Sequence, residues 1–461
     1  MVALRSRRLE SVFGVQLDSL AFHHIHALVA AGVQESFDLD FKLTLYGRSD
    51  ADKRSLASDV AALANTGGGV ILLGIEEDDQ ARATNAPGVE ISDAEVARMR
   101  QVIASLVAPM PALDILSVPD KAAGVGEAGA EQGFIVVAVP RSPGAPHAVL
   151  VNDGLRFPMR NGATTRYLSE PEVATAYRNR FASVQRQAER MEQIEQDAIG
   201  NLAVGDRDQP WIVVSLVPAL PGDMTFSRET FEAFQQDYMG RQVTLSSHGP
   251  SIHRTRVGRR RLLADGTSSY DPEARWISLE LHGDGAGAFS QVAFDLNERR
   301  RREVPSTTDE EQRFQIISDE WMAAGVVAGL LELARHARDR TAAGGEALIR
   351  AQLYPVSSER PTTIGHARGY GFPESRTEEH YRTRAEPAEA AASLDDLAQP
   401  SPQLVQAAAL LLDELGQAFG VPEMGQLSRD GRVRRPYWGS STLRGEIVVW
   451  AEKNGIEIID E

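Results

Sequence analysis

The stretch Phe37-Asp38-Leu39-Asp40-Phe41-Lys42-Leu43-Thr44-Leu45 alternates apolar and polar residues with a period of two, which predicts a half-buried β-strand. Asp38, Asp40 and Lys42 fall on one face, with the aromatics and leucines on the other. Ser49 or Asp50 is suited to cap a following helix, in which Leu56, Val60 and Leu63 share one side. That helix ends at Asn65-Thr66-Gly67-Gly68-Gly69, residues that favour a left-handed turn. Val70 to Ile75 then reads as a fully buried strand, stopped by the acidic run Glu76-Glu77-Asp78-Asp79.

Upstream, an amphipathic helix is expected over Asp18 to Ala31. Downstream, a helix near Asp93–Val107 precedes strands near Ile115–Val118 and Phe134–Val139. Asn161-Gly162 marks a hairpin between Leu155–Arg160 and Thr164–Tyr167. Ser169-x-x-Glu172 is a capping box, and the helix it opens carries Val173, Tyr177, Phe181, Val184, Ala188 and Met191 as a long stripe suited to packing or pairing. From Trp211 the pattern restarts, with strands expected at 211–217, 275–282 and 289–296 and a helix from Thr308 to Arg338. Residues 356–402 are rich in Pro, Ser, Glu and Ala and read as a linker. The fold class is therefore α/β (α+β). Residues 1–200 form a mixed sheet with helices, 201–355 a second α+β domain, 356–402 a linker and 403–461 a small helical segment.

The 461 residues include 48 Lys+Arg and 65 Asp+Glu, giving a net charge of -17, and no cysteine. Disulfides and thiolate metal sites are excluded. No run of apolar residues is long enough to span a bilayer, and the N-terminus lacks the apolar core of a secretory signal, so a cytoplasmic protein with no membrane partner is expected. The acidic balance excludes a carpet of phosphate contacts but leaves room for a local one. All but four of the basic residues are arginine, so Lys42 on a charged strand face stands out.

Carboxylates that converge at a strand edge can hold Mg²⁺ or Mn²⁺ through oxygen ligands, with a lysine alongside to stabilise charge. Asp40 and Lys42 share a face. Glu35 can join them only from just before the strand, at the end of the preceding helix or in a turn, and Glu76 ends the next strand. Acids on the solvent face of a half-buried strand are equally an ordinary solvated surface. Gly124-x-Gly126-x-x-Gly129 lacks the helix that a dinucleotide site needs, and there is no P-loop.

The segments Glu35-Ser36-Phe37-Asp38-Leu39-Asp40-Phe41-Lys42 and Asp59 to Glu76, with Ala64-Asn65-Thr66-Gly67-Gly68-Gly69 between helix and strand, resemble the Schlafen-type AlbA domain. Pro146-His147 through Arg160-Asn161-Gly162-Ala163-Thr164-Thr165 is similar to that family's later strand and turn. The resemblance covers roughly residues 18–180. It implies a three-carboxylate site that falls on Glu35, Asp40 and Glu76, binding Mg²⁺ or Mn²⁺ with Lys42 beside it. Asp40 stands where Glu is usual and Glu76 where Asp is usual. The implied activity is metal-dependent cleavage of structured RNA such as tRNA, RNA being favoured over DNA, in stress or phage defence. The alternative is a non-cleaving nucleic-acid-binding transcriptional regulator. Vertebrate relatives pair two such lobes, so a single lobe implies a homodimer.

Nucleic-acid contacts need cations. Arg156, Arg160 and Arg166 flank the expected hairpin and are candidates to grip phosphates. Arg254, Arg256, Arg259, Arg260 and Arg261 form a second basic cluster, and Arg299–Arg302 a third. Pairing with acids of a partner subunit is the competing reading of these last clusters.

Overall fold

The computed structural model describes residues 6–120, 131–203, 210–245, 249–268, 271–293, 315–354, 362–368, 372–375, 386–439 and 441–460. It is mixed α/β, in two compact units, Met1–Gln185 and Arg186–Glu461. Sequence composition places the first boundary at residue 200, whereas the contacts divide inside the continuous helix Glu170–Ala203. Among the described residues, no helix is long and apolar enough to cross a membrane.

In the first unit the strand Leu39–Lys42 runs parallel to Gly68–Leu73, which runs antiparallel to Gln132–Pro140. Asp114–Pro119 and Val89–Glu90 both pair with Gln132–Pro140, completing a five-stranded sheet with Leu39–Lys42 at its edge. Helices Asp50–Ala64 and Asp93–Leu106 pack Leu56, Val60, Leu63, Met99 and Ile103 on one face, against Ile71, Leu73, Ile135 and Val137. Helices Arg7–Phe13 and Phe22–Ala30 pack Leu9, Phe13, Ile25 and Leu28 on the other, against Leu39, Phe41, Val70 and Leu72. Fully burying each such side chain is worth about 1.5–3 kcal/mol. Leu39 and Phe41 thereby fix the register, because a slip of one residue would drive Asp40 and Lys42 into the apolar layer.

The edge strand is shorter than its alternation suggests. Ser36 and Leu39 exchange backbone hydrogen bonds in a tight turn, and pairing ends at Lys42 with Leu73, so Phe37 and Leu43 emerge 43% and 46% exposed. The glycines after Thr66 answer a packing demand here. A Cβ on Gly69 would lie 2.5 Å from the Asp38 carbonyl oxygen, so only glycine lets this strand close on its neighbour.

The second unit is built on a seven-stranded antiparallel sheet in the order Ser251–Gly258, Arg261–Ser268, Asp271–His282, Gly287–Val292, Trp211–Leu220, Gly344–Tyr354, Ala388–Ser393. Helix Asp319–Arg335 crosses one face, where Gly329 lets it approach Val214 and Phe289. Gln315–Ser318, expected to be helical, is a strand, and the helix begins where the Ser318 side chain accepts from the Trp321 N–H. Residues 388–397 were expected in a linker. Instead Ala388–Ser393 pairs with Gly344–Tyr354, and Leu394 and Leu397 are buried against helix Pro402–Gln417. Alanine-rich sequence carries little periodic signal, yet its small side chains suit a crowded sheet edge. Gly124–Gly129 and Arg299–Arg302 lie outside the described residues. On helix Glu170–Ala203, Phe181 and Val184 are 71% and 65% exposed, while Met191 is fully buried.

Candidate nucleic-acid interface

Asp40 leaves the edge strand on the side of helix Asp50–Ala64 and is 3% exposed. Arg160 Nη1 donates to its Oδ1 at 2.9 Å, and Lys42 Nζ donates to its Oδ2 at 2.5 Å. Arg160, itself 5% exposed, also donates through Nη2 to the Ser36 carbonyl at 3.2 Å. Asp59, on the helix, accepts from the Tyr46 hydroxyl at 2.7 Å and adds a second carboxylate to the group. Two acids therefore face two cations, and the cluster has little net charge.

The signature residues after the helix deliver Arg160. Asn65 Nδ2 donates to the carbonyls of His147 and Pro158 at 2.9 and 2.8 Å, and Asn65 Oδ1 accepts from the His147 N–H at 2.6 Å. Thr66 Oγ1 accepts from the Arg160 N–H at 3.0 Å. Asn65 is in ordinary helical conformation, and Gly68 supplies the left-handed turn. The side chain thus acts as a staple holding the hairpin Pro158–Asn161/Thr164–Tyr167 over the sheet edge.

Electrostatics follow from this packing. Burial pulls the Lys42 ammonium down, but the charge and hydrogen bond of Asp40, with Asp59 and Glu35 adding, hold it above its ordinary value. Burial pushes the Asp59 carboxyl up, and the Asp40 charge adds to this against Lys42, Tyr46 and Arg160. Burial, then the Asp59 and Asp40 charges, lift the Tyr46 hydroxyl well above the usual range. Glu35 lies just ahead of the Ser36–Leu39 turn, its N–H bonded to the Ala81 carbonyl and its Oε1 accepting from the Phe41 N–H at 2.5 Å. Burial is the main cause that raises its carboxyl to about 7, with Asp40 and Glu77 reinforcing and the Phe41 N–H and Lys42 opposing.

A carboxylate ligand set is not assembled in this arrangement. Asp40 has both oxygens on cations, and Glu35 spends an oxygen on a backbone N–H. Glu76 is exposed past the strand end, with its Oε2 3.4 Å from Asn85 Nδ2, and the acid whose charge reaches Glu35 from that run is Glu77. Among the described residues, no three His, Asp or Glu side chains form a group that could hold a metal ion. The residues as they stand do not fit Mg²⁺ or Mn²⁺. Asp38 belongs to another contact, binding Arg8, whose Nε donates to its Oδ2 at 2.8 Å.

The expected phosphate-binding arginines separate into distinct roles. Arg160 is committed to the interior. Arg166 is exposed but makes two hydrogen bonds to Glu172, at 3.0 and 2.9 Å, and Glu172 also accepts from the Ser169 N–H and hydroxyl. Those contacts, led by Arg166, hold the Glu172 carboxyl down at about 2. Arg156 is exposed and stacks its guanidinium 5.8 Å from the centroid of the Tyr167 ring. In the second unit Arg256 pairs with Asp265 at 2.6 Å, and Arg261 with Asp197 and Glu280. Arg260 reaches Asp223 only at 3.4 Å, and Arg254 and Arg259 are exposed.

Asp59, Tyr46 and Glu77 escape a reading by motif. The signal for Asp59 is an acid placed within the Leu56–Val60–Leu63 face, where an apolar residue is expected. Tyr46 and Glu77 carry no comparable mark.

Residues 35–169 match the family described as Schlafen, AlbA_2. The first unit thus contains a Schlafen AlbA_2 domain. Among solved structures, the DIP2311 protein from Corynebacterium diphtheriae is similar at 18% identity and a TM-score of 0.23. The match covers 36% of this chain and 32% of that one, so this chain spans about a third of that protein's length. The N-terminal domain of a RecG-related protein from Nitrosomonas europaea is similar at 18% identity and a TM-score of 0.22, over 33% of this chain and 95% of that one. No curated protein matches the chain.

Proposed function

We propose that the Schlafen AlbA_2 domain of this chain binds nucleic acid at the hairpin Pro158–Asn161/Thr164–Tyr167 and does not cut it in the arrangement described. The family match supports a nucleic-acid-related function. The observation that carries the non-cleaving reading is Asp40, whose two oxygens are both taken by Arg160 and Lys42. A carboxylate so neutralised orders the hairpin above it and offers no charge to a divalent cation. The strand Gly154–Arg156, just before the hairpin, then presents Arg156 to phosphate beside Tyr167, while Arg160 and Arg166 are held by acids of the same chain.

Labelled tRNA, single-stranded RNA and single- and double-stranded DNA would be titrated with the full chain in Mg²⁺, Mn²⁺ or EDTA, with binding and chain length of the nucleic acid both read. The expected result is salt-sensitive binding with the nucleic acid left intact in every metal. Metal-dependent cutting that disappears in a Glu35→Gln, Asp40→Asn, Glu76→Gln variant would overturn the non-cleaving reading and restore the ribonuclease one.

Self-association belongs to the same proposal, because the exposed Phe181 and Val184 lie on one helical stripe. Sedimentation should give twice the mass of one chain, and Val184→Glu should halve it.

A further inference from the structure

This inference rests on the nucleic-acid reading above and narrows it to a ligand. Across the hairpin, Arg160 stands opposite Thr165 and Pro158 opposite Tyr167. Residues two apart on a strand share a face, so Tyr167 projects on the same side as Arg160. Arg166 is on the other side, with its Nη2 3.7 Å from Met159 Sδ. Tyr167 is 49% exposed, a large apolar ring area left beside a cation with no carboxylate partner among the described residues.

A second arginine–aromatic pair provides the contrast. Arg8 lies 5.5 Å from the Phe37 ring centroid, but Asp38 binds its guanidinium, so that pair carries a ring without a free charge. Among the described residues, only at Tyr167 do an open π-surface and an unneutralised guanidinium occur together.

We propose that Tyr167 and Arg156 form a receptor for one unpaired nucleotide, the base stacking on the ring and a phosphate resting on the guanidinium. Bases inside a duplex have both faces covered by their neighbours, so only a splayed or single-stranded base can use the ring. The phosphate contact alone would not distinguish strandedness.

Fluorescence anisotropy of the full chain with short labelled single-stranded RNA, single-stranded DNA and duplex DNA separates the possibilities. Wild type, Tyr167→Ala, Tyr167→Phe and Arg156→Ala would be compared. Tyr167→Ala should weaken single-strand binding by about 5- to 150-fold and leave duplex binding unchanged. Tyr167→Phe should keep wild-type affinity, which also shows that the position tolerates substitution. Arg156→Ala should weaken binding to every strand form and flatten its salt dependence. Duplex bound as tightly as single strands, or Tyr167→Ala without effect while Arg156→Ala weakens binding, would overturn the stacking receptor and leave nucleic-acid binding intact. A wild-type chain that binds none of the three would overturn both.

Discussion

Two arginine-bearing hairpins, one in each unit, look alike as sequence and differ as structure. In the first, Arg160 is almost completely buried and fixed between Asp40 and the Ser36 carbonyl, Arg166 is matched by Glu172, and Arg156, at the end of the preceding strand, rests on Tyr167. In the second, formed by Ser251–Gly258 and Arg261–Ser268, Arg256 and Arg261 meet acids, while Arg254 and Arg259 are exposed. A count of basic residues treats all of these as one resource. The difference teaches that burial decides what an arginine does: a buried one orders the chain, and an exposed one without an acid stays available to a ligand.

The comparison breaks most directly at Arg160. Arg160→Met leaves a buried carboxylate short of one partner and should destabilise the first unit by about 3–5 kcal/mol. The five tryptophans, Trp211, Trp276, Trp321, Trp438 and Trp450, all lie in the second unit. Their fluorescence in a denaturant titration should therefore stay at the wild-type midpoint while circular dichroism shows an earlier transition. A shared shift of both signals would mean that the two units unfold together.

The staple comes next in size. Asn65→Ala strips one N–H and two carbonyls of their partner, with an expected cost of about 1–3 kcal/mol. Hydrogen exchange at the His147 amide should quicken in that variant, and an unchanged rate would show that another group takes over.

A smaller, pH-dependent effect belongs to Glu35. Its carboxyl sits at about 7 against an ordinary 4.5, so the folded chain holds a proton that the unfolded chain has released. Stability should fall as pH rises from about 4.5 to 7, by on the order of 1 kcal/mol once solvent screening is allowed for. Glu35→Gln should remove this slope, and a slope that persists in the variant would assign it to other groups. The smallest change is expected at the half-buried Arg256, whose partner Asp265 also has the Ser278 hydroxyl at 3.2 Å and Arg275 at 3.6 Å. Arg256→Ala should cost under about 1 kcal/mol in the tryptophan-detected transition, and a loss as large as that for Arg160→Met would erase the contrast.

Much of the first unit was legible from two periodicities. Alternation marked the edge strand, and the face of Leu56, Val60 and Leu63 marked the helix that covers it. The Asn65-Thr66 signature located the end of that helix, but not its use, because a side chain that bonds residues 82 and 93 positions away leaves no local trace. Arg160 was legible as a cation near the site and misleading as a phosphate ligand, since its burial follows from where the hairpin lands. The acids were found as residue types, while their neutralisation depended on long-range pairing. In the second unit, strands with apolar runs stood out, and Ala388–Ser393 did not, because small residues pack without announcing a face.

The staple and the ion pair it positions also order events in time. Asp40 and Arg160 are 120 residues apart in the chain. At ~5–20 residues per second of synthesis, Asp40 leaves the ribosome roughly 6–24 s before its main counter-charge exists. Through that interval the Asp40 carboxylate can have only Lys42 for a counter-charge, and the sheet edge stays without its hairpin. The Schlafen AlbA_2 domain therefore reaches its closed, charge-balanced form as one late event, set by the emergence of the hairpin rather than by the strand that bears its most buried acid.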